Sequence, residues 1–208
     1  MSAKNLFIAF EGIDGSGKST QVKLLCDFLT EKGHNVYPTC EPTDSRIGTM
    51  IRDIFNHRME GDQKVIAALF AADRLNHLLN NTDGILKKLK EGYTVITDRY
   101  YFSSYAYHSV HDIDMEWVIQ ANSLSANLLR PDLNVYIDID PEISMQRLNK
   151  GRSNIEMYET LENLTNVYAK YQEAFDRIGT QEKVFKTNGD RKAEQIAKDI
   201  RNAMEGLI

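Results

Sequence analysis

The sequence predicts an α/β protein in which about five parallel strands form one sheet with helices on both faces. Two observations carry this prediction. Short apolar runs alternate along the chain with segments of helical periodicity, and a glycine-rich loop separates the first run from the first helix. Strands that alternate with helices of this length imply right-handed crossovers, and hence a parallel sheet covered on both sides. The chain has 208 residues and no repeat or linker, so we expect one domain spanning residues 1–208.

The first elements flank the glycine-rich loop. Residues 6–10 form an apolar run that suits a buried parallel strand, and residues 18–32 have the periodicity of a helix with one apolar face. Gly33 is placed to end that helix. A short second strand is predicted to begin over residues 35–37.

Helical periodicity resumes over residues 47–54 and again over residues 64–80. The remaining strands are predicted from short apolar runs, of which the first two are introduced by a glycine and a proline: residues 93–97, 133–137 and 183–185. Helices fill the gaps between these strands, which completes the alternating pattern.

Composition argues against several classes of protein. The formal net charge is -5, which gives no support for binding nucleic acid or an anionic membrane through bulk charge. No apolar run reaches the roughly 18 residues of a membrane span. The first residues lead straight into a strand, so we expect no signal peptide. Only two cysteines occur, and we expect a reduced, cytoplasmic protein.

Residues 12–19 match the phosphate-binding motif G-x-x-x-x-G-K-[ST] in the strand–loop–helix context that it requires. Glycines allow the backbone N–H groups to turn inward around a phosphate, and the helix N-terminus adds partial positive charge. The lysine can reach the β- and γ-phosphates, and the serine hydroxyl can bind Mg²⁺. The motif predicts the three-layer fold of P-loop NTPases. The residues predicted to bind the nucleotide are Gly12, Ile13, Asp14, Gly15, Ser16, Gly17, Lys18, Ser19 and Thr20.

Polar residues follow the predicted strands where each one ends. Glu41 and Pro42 follow the second strand, Asp98 and Arg99 the third, and Asp138 the fourth. Carboxyl ends of parallel strands meet at one edge of a sheet, where the active sites of such folds lie. There Asp98 can hold Mg²⁺-bound water, and Arg99 can grip an anionic oxygen with two N–H groups. The alternative is that Asp98 and Arg99 form an ion pair or cap a helix; the neighbouring phosphate loop favours a functional role.

With these motifs in this order, the chain resembles the thymidylate kinase family of nucleoside monophosphate kinases. The resemblance rests on segments that run from the first strand to the fourth: residues 10–20, 41–42, 69–74, 98–107 and 130–133. It implies transfer of the γ-phosphoryl group of ATP to dTMP, giving dTDP in the route to dTTP, with Mg²⁺ as cofactor. It also implies a homodimer.

The resemblance assigns roles in acceptor binding. It implies that Phe70 stacks on thymine, that Arg74 donates to the base edge, and that Tyr107 crowds the sugar. Periodicity alone would place Phe70 in the core and Arg74 on a solvated face, and the family likeness reverses that preference. Arg99 and, more weakly, Arg52 are assigned to the dTMP phosphate. The complete predicted dTMP set is Asp14, Glu41, Pro42, Arg52, Phe70, Arg74, Arg99, Ser103, Ser104 and Tyr107.

The resemblance also implies a short lid over ATP, at about residues 147–156. Some family members carry an arginine in the phosphate loop where this chain has Gly15. Because this chain lacks that arginine, the resemblance implies that the lid supplies the catalytic cation, and we assign this role to Arg152. The other predicted catalytic residues are Lys18, Arg99 and Asp98. Arg147 is expected to lie against the adenine. The alternative is a solvated basic cluster. Three positions depart from the family pattern: Cys40, His108 and Met157.

Other functions remain open at this point. A deoxynucleoside kinase, or a kinase for another monophosphate, shares the phosphate loop and the acidic–arginine strand end. A GTP-binding switch protein is a further alternative, but it requires an Asn-Lys-x-Asp motif. The nearest match, residues 149–152, lacks the aspartate.

Overall fold

The computed structural model describes residues 5–110, 112–151 and 160–207. Five strands form its sheet: β1 Phe7–Glu11, β2 Asn35–Cys40, β3 Tyr93–Asp98, β4 Leu133–Asp138 and β5 Val184–Asn188. The helices are α1 Lys18–Glu31, α2 Arg46–Phe55, α3 Gln63–Leu79, α4 Ile85–Lys90, α5 Tyr101–His108, α6 Met115–Ala121, α7 Ser123–Leu128, α8 Pro141–Gly151, α9 Leu161–Ile178 and α10 Ala193–Ala203. None of the described helices is long and apolar enough to cross a membrane.

All five strands are parallel, in the order β2-β3-β1-β4-β5. The central strand β1 pairs with β3 through Phe10 opposite Asp98, and with β4 through Glu11 opposite Tyr136. The carboxyl ends of β1 and β3 therefore lie side by side. The predicted parallel α/β sheet is confirmed, and the phosphate loop leaves its middle strand.

The two faces of β1 contribute to two separate hydrophobic cores, because successive strand side chains point to opposite faces. Phe7 and Ala9 join the core formed with α3, α5, α6 and α9. Leu6, Ile8 and Phe10 belong to the core formed with α1 and α10. Burial on both faces explains why the β1 sequence is continuously apolar rather than alternating.

Four strands end beyond the apolar runs that predict them, at Glu11, Asp98, Asp138 and Asn188, whereas β2 ends directly before Glu41, as the sequence predicts. β2 extends to Cys40, because its pairing with β3 continues as far as Asp98. Pro38 lies within β2, which is tolerated because β2 is an edge strand.

The predicted lid segment divides between two regions. Residues 147–151 belong to α8, whose Leu148 is buried beside the phosphate loop. That packing extends the helix into the segment predicted as a loop. Residues 152–156, including Arg152, lie outside the described residues, as does Met157.

Candidate active site

The phosphate loop depends on glycines at three positions with positive φ: Gly12 at +142°, Gly15 at +76° and Gly17 at +98°. L-residues with a side chain rarely adopt such angles. Gly17 directly precedes α1, so the amino end of that helix faces the loop. Of the other predicted loop residues, Ile13 and Ser16 are buried in the turn, whereas Thr20 is exposed on α1.

Gly15 has a second constraint, because it packs against α8. A Cβ atom there would lie 2.8 Å from the Ser144 carbonyl oxygen and 3.0 Å from Leu148 Cγ. The Ser144 hydroxyl also donates to the Asp14 carbonyl oxygen, which ties α8 to the loop. Any side chain at position 15 would therefore require α8 to shift away from the loop.

Lys18 is 6% exposed and folds back along the loop. Its Nζ donates to the carbonyl oxygens of Gly12 and Ile13, each over 3.0 Å. Burial, followed by the positive charge of Arg99, lowers the pKa of Lys18 to about 8. The ammonium group is thus held inside the loop by two loop carbonyl oxygens.

Ser19 and Asp98 form the pair predicted to hold Mg²⁺. The Ser19 hydroxyl donates to Asp98 Oδ2 over 2.7 Å. The other carboxylate oxygen, Oδ1, is buried without a hydrogen-bond partner among the described residues. A hydroxyl and a carboxylate beside a phosphate loop fit Mg²⁺, which is bound by one or two protein oxygens together with phosphates and water.

Arg99 is the cation at the end of β3. Its φ of +77° is unusual for a residue with a side chain, and such angles persist where surrounding contacts hold them. The guanidinium donates to the Asp14 carboxylate, to Gly12 O over 3.3 Å and to Ser103 Oγ over 3.1 Å. It also lies 4.7 Å from the ring centroid of Tyr107. Arg99 thus pairs with Asp14 in the phosphate loop.

Asp14 and Tyr107 exchange two hydrogen bonds. The Tyr107 hydroxyl donates to Asp14 Oδ2 over 2.8 Å, and the Asp14 N–H donates to the same hydroxyl over 3.0 Å. Burial raises the pKa of Asp14, but the charges of Arg99 and Lys18 outweigh it, and the pKa lies below the ordinary value. The carboxylate is therefore ionised at neutral pH.

One cavity of about 290 Å³ lies beside the phosphate loop, and its wall contains every residue of the predicted dTMP set. These residues come from β1 and its loop, the β2–α2 connection, α2, α3 and the β3–α5 region. Three further residues line the cavity: Cys40, Phe55 and His108. Cys40 and His108 are two of the departures noted in the sequence.

Aromatic rings form one side of this cavity. The Phe70 ring centroid lies 4.9 Å from that of His108 and 6.0 Å from that of Phe55. Sequence reasoning missed Phe55. The sequence could have indicated that Phe55 faces the protein interior, because it lies four residues after Ile51 on the apolar face of α2.

Arg74 is 1% exposed, and all five of its N–H groups have protein acceptors. Nε and Nη2 donate to Glu41 Oε2 over 2.9 and 2.5 Å, and Nη2 also donates to Tyr100 O over 3.0 Å. Nη1 donates to Ser104 Oγ over 2.9 Å and to Asn122 Oδ1. A hydrogen bond from Arg74 to a base would therefore require one of these bonds to exchange.

Arg52 lies at the mouth of the same cavity with a side chain that is 36% exposed. It donates to Pro42 O over 2.9 Å and to Asp44 Oδ1 over 3.1 Å. Asp44 is fully exposed. Arg52 is thus less enclosed than Arg99, whose side chain is 15% exposed.

Arg147 lies in α8, outside the wall of the cavity beside the phosphate loop. Its Nη2 donates to Gly189 O over 3.0 Å and lies 3.5 Å from Asp190 Oδ1. Asp190 lines a second groove together with Asp138 and Asn188 at the ends of β4 and β5. Arg147 therefore connects α8 to the turn after β5.

Glu11, which sequence reasoning passed over, is fully buried at the end of β1. It accepts hydrogen bonds from Ser103 Oγ over 2.6 Å, Tyr100 N over 3.0 Å and Tyr171 Oη over 3.1 Å. Burial raises the pKa of Glu11 to about 7 in spite of these donors and the charge of Arg99. In the sequence, only the position of Glu11, between an apolar strand and the first loop glycine, indicated a buried hydrogen-bond acceptor.

Comparison with known proteins places these features in a family. The model of the family described as thymidylate kinase matches residues 10–200. A probable thymidylate kinase of Pyrococcus horikoshii is 40% identical, with 84% of this chain and 86% of that protein covered. A thymidylate kinase of Leptospira borgpetersenii is 36% identical, with 94% and 91% covered. A probable thymidylate kinase of Caldivirga maquilingensis is 36% identical, with 96% and 93% covered.

Proposed function

The chain belongs to the thymidylate kinase family and transfers the γ-phosphoryl group of ATP to dTMP, and we propose that dTMP binds in the cavity beside the phosphate loop. One observation carries this assignment. The ten residues predicted to bind dTMP come from separate segments of the chain, and all of them line a single cavity. Its volume of about 290 Å³ lies close to the range of pockets for small ligands.

The shape of the cavity indicates how dTMP is oriented. Phe70 presents an aromatic face on which a base can stack, and Arg99 lies next to the phosphate loop. We propose that the thymine lies on Phe70 and that the phosphate lies on Arg99, with Arg52 at the mouth as a weaker contact. Tyr107 and Asp14 then flank the sugar between these two ends.

We assign Arg74 mainly to shaping the cavity wall. Its five satisfied donors link the residue after β2, α5 and the α6–α7 junction through Glu41, Ser104 and Asn122. Glu41 is further held by His77, whose Nδ1 lies 3.1 Å from Glu41 Oε1. This arrangement supports a role of Arg74 in fixing the surface that faces the base.

ATP is assigned to the phosphate loop, with Lys18 and the loop N–H groups on its phosphates. We propose that the adenine lies toward Arg147 and the turn that carries Gly189 and Asp190. Ser19 and Asp98 would hold Mg²⁺, which neutralises phosphate charge when bound. Arg152, outside the described residues, remains our proposed lid cation.

The reaction then needs positioning and charge compensation rather than a strong base. An oxygen of the dTMP phosphate, already anionic at neutral pH, forms a bond to the γ-phosphorus of ATP. The bond between that phosphorus and the β–γ bridging oxygen breaks, and ADP leaves. Arg99 orients the attacking phosphate, and Lys18 offsets the charge on the ATP phosphates.

Acceptor specificity tests the reaction itself. With ATP and Mg²⁺, we expect ADP release with dTMP to exceed that with thymidine, AMP or CMP by about 10²-fold in kcat/KM. Thymidine lacks the phosphate that Arg99 would bind, and purines are larger than thymine. A coupled ADP assay measures all four. Preference for thymidine would identify a deoxynucleoside kinase, and tight GTP binding without turnover would favour a switch protein.

Replacing Phe70 with alanine tests the cavity. We expect the KM for dTMP to rise about tenfold or more, because a stacked base contributes roughly 1–3 kcal/mol. The KM for ATP should change less than about twofold. Phe28→Ala is the control, since Phe28 is also half-buried but lies on α1 in the other core. A rise confined to the KM for ATP would place the acceptor elsewhere.

We also propose that the chain forms a homodimer. Helices α3, α6 and α7 contact one another, and they expose apolar side chains at Leu79, Trp117, Leu124 and Leu128. Exposed apolar groups of this size on adjoining helices favour contact with another protein surface. Light scattering of the purified protein measures the mass in solution, and a monomer mass would contradict the proposal.

A further inference from the structure

A tyrosine of helix α9 lies against the first glycine of the phosphate loop. The Gly12 N–H donates to the Tyr171 hydroxyl over 3.3 Å, and Gly12 O lies 3.4 Å from the same oxygen. Tyr171 is fully buried. Its hydroxyl therefore holds a loop peptide from a helix that is 159 residues away in the chain.

The Gly12 backbone matters because both active-site cations contact it. Its carbonyl oxygen accepts from Lys18 Nζ over 3.0 Å and from Arg99 Nη1 over 3.3 Å. With φ of +142°, Gly12 lies where regular secondary structure does not fix the backbone. A change in the Gly12 backbone torsions would move this carbonyl oxygen and displace both Lys18 and Arg99.

The Tyr171 hydroxyl reaches Arg99 by a second route. It donates to Glu11 Oε2 over 3.1 Å and lies 2.8 Å from Ser103 Oγ. Ser103 also donates to Glu11 Oε2, over 2.6 Å, and accepts from Arg99 Nη1 over 3.1 Å. One hydroxyl thus joins the phosphate loop, the end of β1 and the residue that faces Arg99.

Packing explains the ring of Tyr171 but not its hydroxyl. The ring stacks on Phe175 with centroids 6.0 Å apart and lies 5.2 Å from Tyr136. A phenylalanine would make the same contacts without burying an oxygen, which costs free energy unless it is hydrogen-bonded. The hydroxyl is therefore present for the polar groups that it contacts.

We propose that Tyr171 is a positioning residue for phosphoryl transfer, whose hydroxyl fixes the Gly12 backbone and the Ser103–Glu11 pair and thereby places Lys18 and Arg99. The inference rests on the proposed function, because it concerns the two cations assigned there to ATP and dTMP. Tyr171 itself is enclosed by protein groups and is not a catalytic residue.

The pH profile supplies a readout that packing alone would not change. Glu11 is buried, and the groups around it are Arg99 directly after β3, Ser103 from α5, Arg74 from α3, Lys18 from α1 and Tyr171 from α9. Its pKa of about 7 is set first by burial, while the hydrogen bonds from Ser103 and Tyr171 lower it. Losing the Tyr171 donor therefore raises the pKa of Glu11. If ionised Glu11 orders Ser103, the acidic limb of kcat moves to higher pH.

Tyr171→Phe, compared with Tyr136→Phe, tests the proposal. Tyr136 is buried beside Tyr171, but its hydroxyl accepts from Gln172 rather than from the phosphate loop. We expect Tyr171→Phe to lower kcat about tenfold, with each KM changed less than about threefold. Misplaced cations reduce the stabilisation of the transition state more than they reduce the binding of the substrates. Its acidic limb should lie at higher pH. Tyr136→Phe should keep kcat within about twofold of wild type and leave the limb in place.

Three outcomes would overturn the proposal. They are wild-type kcat and pH profile in Tyr171→Phe, an equal loss in Tyr136→Phe, or a larger effect on KM than on kcat. If circular dichroism shows that Tyr171→Phe does not fold, Glu11→Gln provides the test, because a glutamine at position 11 cannot titrate. If Glu11→Gln kept the acidic limb of the wild-type kcat profile, the proposed link between Glu11 ionisation and kcat would be overturned. Wild-type protein that releases no ADP with dTMP would instead contradict the proposed function.

Discussion

Replacing Lys18 with alanine is expected to lower kcat by about 10³-fold or more, which corresponds to about 4 kcal/mol of transition-state stabilisation. Lys18 supplies the positive charge inside the phosphate loop, and its Nζ is held by Gly12 and Ile13. A water molecule in place of Lys18 would have to reorient as charge develops on the phosphates, whereas the fixed ammonium is already in position. Steady-state kinetics with ATP and dTMP measure the loss, and dTMP affinity should change little.

Lys23→Ala is the matched control, because Lys23 is an exposed lysine on the same helix. It should retain wild-type kcat, since an exposed charge beyond the first turn contributes little to the loop. If Lys18→Ala kept kcat within about threefold of wild type, with a barrier change under roughly 1 kcal/mol, the phosphate loop would not carry the chemistry.

The titration of Lys18 gives an independent check through stability. Burial, and then Arg99, lowers the pKa of Lys18 from 10.5 to about 8. Between about pH 8 and 10.5 the unfolded chain still binds the proton that the folded state has released, so the free energy of unfolding rises with pH. Lys18→Met keeps the apolar stem but lacks this proton. Urea unfolding at pH 8 and 10 should therefore show a smaller rise for the variant than for wild type.

The parts of the fold that the sequence predicted are those set by local pattern. A continuous apolar run before Gly12 requires a strand buried on both faces, and the glycines of the loop permit only a sharp turn. Parallel strands then oblige Glu41 and Asp98 to meet at one edge. The ends of the elements were less accurate, because pairing between neighbouring strands extends them beyond the apolar runs.

The contacts that the sequence could not predict join residues far apart in the chain. Tyr171 and Gly12 are 159 residues apart, and nothing in the periodicity of α9 separates a tyrosine that packs from one that also holds a peptide. The same holds for Arg74. Its helical position indicates a face of α3, but only the tertiary structure shows that Glu41, Ser104 and Asn122 occupy its donors.

Arg99 joins the proposed dTMP cavity to the phosphate loop, so its loss should affect both binding and rate. In Arg99→Ala the Asp14 carboxylate loses its ion-pair partner, and the negative charge that remains is expected to repel the dTMP phosphate. The pKa of Glu11 rises as well, because the charge of Arg99 lowers it in the wild type. We expect kcat/KM for dTMP to fall by about 10³-fold, or roughly 4 kcal/mol.

Two comparison variants separate charge from geometry. Arg99→Lys should recover only part of the rate, because an ammonium cannot contact Asp14, Ser103 and a phosphate with one planar fork. Arg52→Ala should cost only about tenfold, since Arg52 lies at the exposed mouth, where solvent screens its charge. The measurement is kcat and KM for dTMP in all three variants. If Arg52→Ala were the more damaging change, the phosphate would lie at the mouth, and Arg99 would serve mainly to hold the phosphate loop through Asp14.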